Sequence, residues 1–566
     1  MIIIDWNNIT KNHNDFNNFL HKNRSEHRKQ FVIKFSKSIE KYISTLHKNS
    51  ISLFYINNNL LLMSFFCELS YFKTPKINDA LKFFIIKKFI RENKNEKIQI
   101  LNFPYTLKKS LFYEIDDKKQ IIFKKFRRFK FNKLYKFFPH IIQSLSWIVK
   151  LIYFNRTLLR EKSTFNNFDT VIFSSFTHLK SYTSENFQSN IWNKFPNYLK
   201  SKYGDLCFIH FHDHLKPIGE TKNLIKKYNK GNNKEFHLLF LNFLNYRLLY
   251  KSLLDYFRIY LRSFFLLRKL KKHLLKENFF SIYKLLNFEI KSSLSGIELL
   301  KNIIYCNLFL EISKSLCKTK SGFFLFEGQG WEKSLINSWN SCCKGPLIGI
   351  QHTTIPFWDL RVFNNLFFKN QKLLIHPEYY AVNSNYFKNK LIEFNYDNNK
   401  IFLTEAFRYQ DIVPIEKNKP CNDLLIIGSN SLEETEEMLN AVLNSKHFFQ
   451  KIYFKPHPTK LLNIKDYKVQ ISQKNLNYIL NKVDLAVCPS SSNSSLDVYL
   501  SNVKLLIFNR KSEFQLNFLQ ELENIKTFSN SNDFIDSISD FKKEKASEIF
   551  IRDHKFKNWD IFLDSI

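Results

Sequence analysis

The chain has 566 residues, 44% hydrophobic and 24% charged, with only 10 glycines and 13 prolines. That is ample for several packed cores and excludes collagen-like, linker-like and wholly disordered classes. Its 86 Lys and Arg exceed its 51 Asp and Glu, for a net charge of +35. An anionic partner is therefore expected, but no zinc finger, helix-turn-helix or aromatic RNA-binding motif accompanies the charge, which argues against nucleic acid.

The opening Met1-Ile-Ile-Ile-Asp-Trp-Asn-Asn8 has neither a basic leader nor a clean apolar run, and no charge-free apolar stretch reaches about 18 residues. A cytoplasmic chain is expected. Its eight cysteines form no C-x-x-C pair, so free thiols in a reducing compartment are expected as well. Residues 1–160 read as a helical, basic N-terminal extension, with a candidate strand at Ile51–Tyr55 and a candidate buried helix at Leu60–Phe66. Basic residues alternate with aromatics between Lys108 and Lys136 and again across Tyr246–Lys276. Such segments suit an anionic membrane surface, or else a core helix with a solvated basic face.

From Asp169 the texture changes to short apolar runs ending in polar or small residues and separated by helix-length stretches. The runs lie in Asp169–His178, Leu206–Asp213, Phe323–Phe326, Pro346–Gln351, Tyr379–Val382, Ile401–Leu403, Asp423–Gly428, Lys451–Lys455, Asp484–Cys488 and Lys504–Phe508. This alternation predicts an α/β fold of two Rossmann-like lobes with parallel sheets. The first lobe is expected over 161–415, with a helical basic insertion at about 215–315. The nucleotide-binding lobe follows over 416–525, and 526–566 packs back. Ser431-Leu-Glu-Glu434 has the form of a capping box, which leaves Gly428 and Ser429 in a loop at the carboxyl end of a strand, where such sheets bind ligands.

Three polar clusters follow predicted strands. Glu327 in Glu327-Gly-Gln-Gly-Trp-Glu332 is a candidate base. In Gly349-Ile-Gln-His-Thr-Thr-Ile-Pro356, His352 is a second candidate base or phosphate contact, with Gln351 beside it. The third cluster pairs Lys455-Pro-His-Pro458 with Cys488-Pro-Ser-Ser-Ser-Asn-Ser-Ser495, one supersecondary unit apart. Lys455, His457, Ser490, Ser491 and Ser492 could hold phosphate there, with Ser492–Ser495 opening a helix at Leu496. Arg361 and Arg408 are further anion-binding candidates.

The histidine bend, the H-P and the serine-rich bend followed by Leu496-Asp-Val-Tyr-Leu500 resemble the second half of GT-B glycosyltransferases that build bacterial surface polymers. They are distantly similar to bacterial sialyltransferases and polysialyltransferases and to CDP-glycerol glycerophosphotransferases. Ile348 through Arg361, Glu327–Glu332 and Glu405-Ala-Phe-Arg-Tyr409 resemble more closely a family of surface carbohydrate biosynthesis proteins. The resemblance implies a metal-independent, GT-B-like glycosyltransferase of lipopolysaccharide or capsule synthesis, with a nucleotide-sugar donor as substrate, no cofactor, and a glycan or lipid-linked acceptor. It implies Glu327 as base, His457 on the leaving phosphate, and Ser490–Ser492 as phosphate holders. His352 aligns with the histidine of the glycerophosphotransferases, where Thr353 replaces their glycine, and Phe326 departs from the sialyltransferase pattern, so the base is either Glu327 or His352. The basic segments would place the chain at the inner face of the cytoplasmic membrane.

Two rival readings accompany this one. The first is a non-catalytic polysaccharide- or lipid-binding assembly or export protein on a degenerate transferase fold. The second is a metal site at Ile209-His-Phe-His-Asp-His214, but this run is one residue short of the metallo-hydrolase pattern and no downstream cluster completes its shell.

Overall fold

Apolar runs buried on both faces pair most readily with one another, and here they assemble side by side as parallel strands. The computed structural model of the chain describes every residue except 9–13, 23, 49–53, 56–57, 70–73, 75, 116–120, 128–139, 156–167, 177–178, 181–183, 185, 213–217, 231–233, 353, 364–368, 370–372, 374, 416–421, 458–468, 473, 512–513, 515–516, 522–524 and 540–548.

A seven-stranded parallel sheet has the spatial order Ile401–Leu403, Tyr379–Val382, Leu347–Ile350, Ser321–Leu325, Thr170–Ser175, Leu206–Phe211, Glu235–Leu239. A six-stranded parallel sheet has the order Gln470–Ile471, Ile452–Lys455, Leu424–Ile427, Leu485–Pro489, Lys504–Phe508, Thr527–Phe528. In chain order, both place their first strand between their second and fourth. Each sheet thus reverses direction once, between Thr170–Ser175 and Ser321–Leu325 in one lobe and between Leu424–Ile427 and Leu485–Pro489 in the other. A crevice opens at the carboxyl edge of such a switch point. The two Rossmann-like lobes face each other across a cleft, the GT-B-like arrangement expected from the sequence.

The strands anticipated between Asp169 and Phe508 are present within about two residues of their expected ends. Three further strands of these two sheets were not anticipated. Gln470–Ile471 and Thr527–Phe528 are two-residue edge strands, too short for a pattern, and Glu235-Phe-His-Leu-Leu239 carries polar residues inside the stretch read as helical.

The N-terminal region is helical as expected, but it also holds a three-stranded parallel sheet of Ile2–Asp5, Ile98–Pro104 and Ile121–Arg127. Leu60–Ser64 is a buried turn, and only Phe65–Glu68 is helical, because Asn59 and Leu61 carbonyls take the backbone bonds of a turn. Phe54–Tyr55 pairs with Asn58–Asn59 as a hairpin; residues 51–53 lie outside the described part. This region is docked onto the first lobe by Arg28, whose buried guanidinium lies 4.0 Å from the Phe357 ring and donates to the Phe357 carbonyl at 2.8 Å.

Helix Tyr246–Lys276 is continuous and buries Leu249, Tyr256, Leu266 and Leu270. The C-terminal helix Lys557–Asp564 covers the seven-stranded sheet: Trp559 is fully buried against Phe195 and Phe407. Glu405 accepts its Asn558 and Trp559 N–H groups at 2.8 and 3.2 Å. The described cysteines form no disulfide. No described helix is long and apolar enough to cross a membrane.

Candidate active site

At the first switch point the chain leaves strand Ser321–Leu325 and runs through Phe326, Glu327, Gly328 and Gln329 into helix Gly330–Cys342. Three interactions hold this loop. Glu332, in the first turn of the helix, accepts the Glu327 and Gly328 N–H groups at 3.0 Å each. Glu68 of the N-terminal region accepts the Gly330 N–H at 2.6 Å. Gly328 adopts a left-handed φ of +71°, and a Cβ there would lie 2.8 Å from the Arg361 carbonyl. Only glycine fits that close crossing.

The loop aims Glu327 at an imidazole and a guanidinium. Its carboxylate lies 3.5 Å from His352 Nε2 and 3.5 Å from Arg361 Nη1, and it accepts from the Gln329 amide at 2.5 Å. Arg361 is clamped in turn by Asp359, with bonds of 3.0 and 2.7 Å. Burial works against the Arg361 charge, but Asp359 and Glu327 outweigh it and raise its pKa. Beneath the cluster, burial and then the Glu327 charge push Glu332 up to about 8, against the backbone N–H groups that favour its anion. His352 is nearly buried while Glu327 retains 26% side-chain exposure. Of the two, Glu327 is the more exposed.

At the second switch point, Gly428–Ser429 follows Leu424–Ile427, Pro456–His457 follows Ile452–Lys455, and Ser490–Ser492 follows Leu485–Pro489. The three strands are adjacent and parallel, so these ends share one edge of the sheet. The Gly428 Cβ position lies 3.2 Å from His457 N, and the Ser429 and Ser491 hydroxyls are 3.0 Å apart. The Gly428–Ser429 loop thus lies between the His457 backbone and the Ser491 hydroxyl.

Three details differ from the sequence reading. The helix after the serines begins at Ser494, not Leu496, because the Ser494 N–H closes onto the Ser492 hydroxyl at 3.2 Å and Ser495 onto the Ser492 carbonyl at 2.9 Å. Ser431 caps helix Leu432–Leu443 as expected, but Glu434 does not complete the reciprocal box. Its carboxylate accepts instead from Ser429 at 2.5 Å and Ser491 at 2.6 Å, while the Ser431 N–H bonds to Ser429 at 3.0 Å. The Lys455 ammonium donates to the Lys474 carbonyl at 2.7 Å.

Segments next to both clusters line one narrow cleft between the lobes. Thr354, Pro356 and Asp359 line it from the first lobe, and Ser490–Asn493 with Asn517 from the second. Thr354 donates to Asn493 across it at 3.3 Å, and Asp359 links the cleft to Arg361 and Glu327. Gln351 is buried behind the cleft, its carbonyl accepting from Asn383 at 3.2 Å. Arg408 forms a second bridge between lobes, 3.6 Å from Asp497; burial raises the Asp497 pKa and Arg408 opposes the rise. Thr353 and Pro458 lie outside the described residues.

Sequence reasoning missed Asp359, Thr354, Asn493, Glu434 and Glu68. Asp359 stood two residues before Arg361 in a motif already singled out, while the others depend on how separate elements approach. In the histidine-rich run the described side chains contact their own neighbours. His210 is buried and lies 3.0 Å from the buried His237 on the neighbouring strand, and His212 contacts Thr221 at 3.2 Å. Burial and then His237 push His210 well below the usual imidazole range. Asp213 and His214 lie outside the described residues, and no group of three or more potential metal ligands occurs among the described ones.

No family model matches the chain, and no curated protein matches it in sequence. Similar solved structures include the UDP-GlcNAc 2-epimerase from Neisseria meningitidis bound to UDP-GlcNAc, 9% identical over 70% of this chain and 98% of the epimerase, with a TM-score of 0.40. The wall teichoic acid polymerase TagF is 10% identical over 76% of this chain and 93% of its own, with a TM-score of 0.32. The calicheamicin glycosyltransferase CalG4 is 8% identical over 71% and 95%, with a TM-score of 0.34. At scores of this size the fold rests on the strand orders given above, and the names transfer no activity.

Proposed function

We propose that the protein is a glycosyltransferase of bacterial surface polysaccharide synthesis that moves a sugar from a nucleotide-activated donor to a glycan or lipid-linked acceptor. The observation that carries the reading is that two switch points of the same strand order flank one cleft, one bearing a carboxylate beside an imidazole and a guanidinium and the other bearing hydroxyls and an imidazole. Glu327 takes the acceptor proton, positioned by His352 and Arg361. The oxygen then attacks the anomeric carbon, and the nucleotide phosphate leaves onto His457 and the Ser490–Ser492 bend. Charge developing on the leaving group is met by donors already in place, and the cleft limits water.

The non-catalytic reading has one observation in its favour: Glu434 already accepts the hydroxyls of Ser429 and Ser491, so a phosphate must compete with a buried carboxylate. A thermal-shift series with CMP, CDP, UDP and their sugar conjugates separates the two. A transferase is stabilised by at least one nucleotide at concentrations well above its Kd, by about 2.7 kcal/mol at 100-fold excess, and a His457→Ala variant loses that shift. No shift with any nucleotide favours the non-catalytic protein.

A further inference from the structure

Helix Tyr246–Lys276 has two apolar faces, and only one is covered. Leu249, Tyr256, Leu266 and Leu270 pack inward. On the opposite face Tyr250, Leu254, Phe257, Leu261, Phe264 and Phe265 recur at spacings of three and four residues, the period of one helical stripe. Their exposures are 66, 40, 39, 74, 68 and 61%. Alongside this stripe runs a basic ridge of Arg247, Lys251, Arg258, Arg262 and Lys269. The helix carries nine Lys or Arg and one Asp, and that Asp255 is engaged by Tyr55 at 2.6 Å and Arg258 at 3.1 Å. Helix His140–Asn155, which like Tyr246–Lys276 packs on helix Ile297–Ser315, exposes Ile142, Val149 and Tyr153 at 51, 63 and 63%. An exposed row of large apolar side chains is costly in water unless something covers it.

We propose that the outer face of Tyr246–Lys276 docks on an anionic phospholipid surface. The apolar stripe enters the headgroup–acyl boundary while the basic ridge meets lipid phosphates. The charge selects the occupant. A second copy of this chain, itself at +35, would set like ridges against each other, whereas an anionic leaflet attracts them. The inference stands apart from the transferase reading, since it uses none of the cleft residues.

Flotation of the full chain with phosphatidylglycerol-containing and pure phosphatidylcholine vesicles tests it. The wild type is expected to float with the anionic vesicles and to be released from them by high salt. A Leu261→Ser, Phe264→Ser, Phe265→Ser variant is expected to lose partitioning by about 100-fold or more, and Arg258→Glu with Arg262→Glu by roughly 30-fold. Because these side chains are exposed, circular dichroism and the unfolding midpoint stay as in the wild type. Equal flotation with neutral vesicles, or undiminished flotation of the serine variant, overturns the proposal. So does a wild-type dimer that the serine variant converts to monomer without any vesicle binding, which would identify a second copy as the occupant.

Discussion

The two switch points share a strand order but not a chemistry. The seven-stranded lobe gathers formal charge, with Glu327 between His352 and Arg361 and Asp359 behind. The six-stranded lobe gathers hydroxyls on neutral loops, with its carboxylate, Glu434, turned beneath them. Topology opens a crevice in each, but the residues placed there differ, and on the proposed reading one lobe moves a proton while the other holds an anion. The same fold can carry either, so the roles follow from the side chains.

The largest effect that distinguishes the lobes is on turnover. Glu327→Gln is expected to lower release of nucleotide from the donor by about 100- to 10,000-fold while leaving the nucleotide thermal shift intact, whereas His457→Ala lowers both. If Glu327→Gln abolished nucleotide binding as well, the division between the lobes would fail.

The glycines sharpen the contrast in stability. Gly328→Ala places a Cβ 2.8 Å from the Arg361 backbone at φ +71° and is expected to cost about 2–4 kcal/mol in urea unfolding. At Gly428 the closest atom to an added Cβ is His457 N at 3.2 Å, so Gly428→Ala is expected to cost about 1 kcal/mol. Equal costs would mean that the first loop is held no more tightly than the second.

The pH response belongs to the first lobe. Burial and Glu327 raise Glu332 from 4.5 to about 8, so the folded state favours the protonated acid. Its contribution is full below about pH 4.5, declines above it, and is lost as pH rises through about 8. Urea midpoints measured across that window are expected to fall for the wild type relative to Glu332→Gln. A constant difference between the two proteins would show that Glu332 is already ionised in the folded state. The smallest effect is expected at the second switch point, where Ser491→Ala should weaken nucleotide binding by about 5-fold, readable by calorimetric titration. A loss beyond about 100-fold would instead make that hydroxyl dominant.

The fold was legible where strands are buried on both faces. Val171-Ile-Phe173 and Leu424-Leu-Ile-Ile427 are continuous apolar runs with no competing helical period. The N-terminal sheet was not, because Ile121-Ile-Phe-Lys-Lys-Phe-Arg127 mixes charge into a strand and Ile2–Asp5 pairs with a partner some 95 residues away. Within the site, Glu327 and His352 were visible from their position after strands. Their closeness was not, since it depends on the neighbouring strands Ser321–Leu325 and Leu347–Ile350 ending in register. The capping-box pattern at Ser431–Glu434 misled for a related reason: a partner remote in sequence, Ser491, competes for the glutamate.

The central claim is that the serine bend and His457 share one bound phosphate. A crystal structure with UDP, CDP or CMP at saturating concentration tests it most directly. The account predicts phosphate oxygens within hydrogen-bonding distance of both the His457 ring and the Ser490–Ser492 bend, in the cleft that Thr354 and Asn493 bridge. A nucleotide seated elsewhere, or a phosphate that contacts only one of the two, would contradict it.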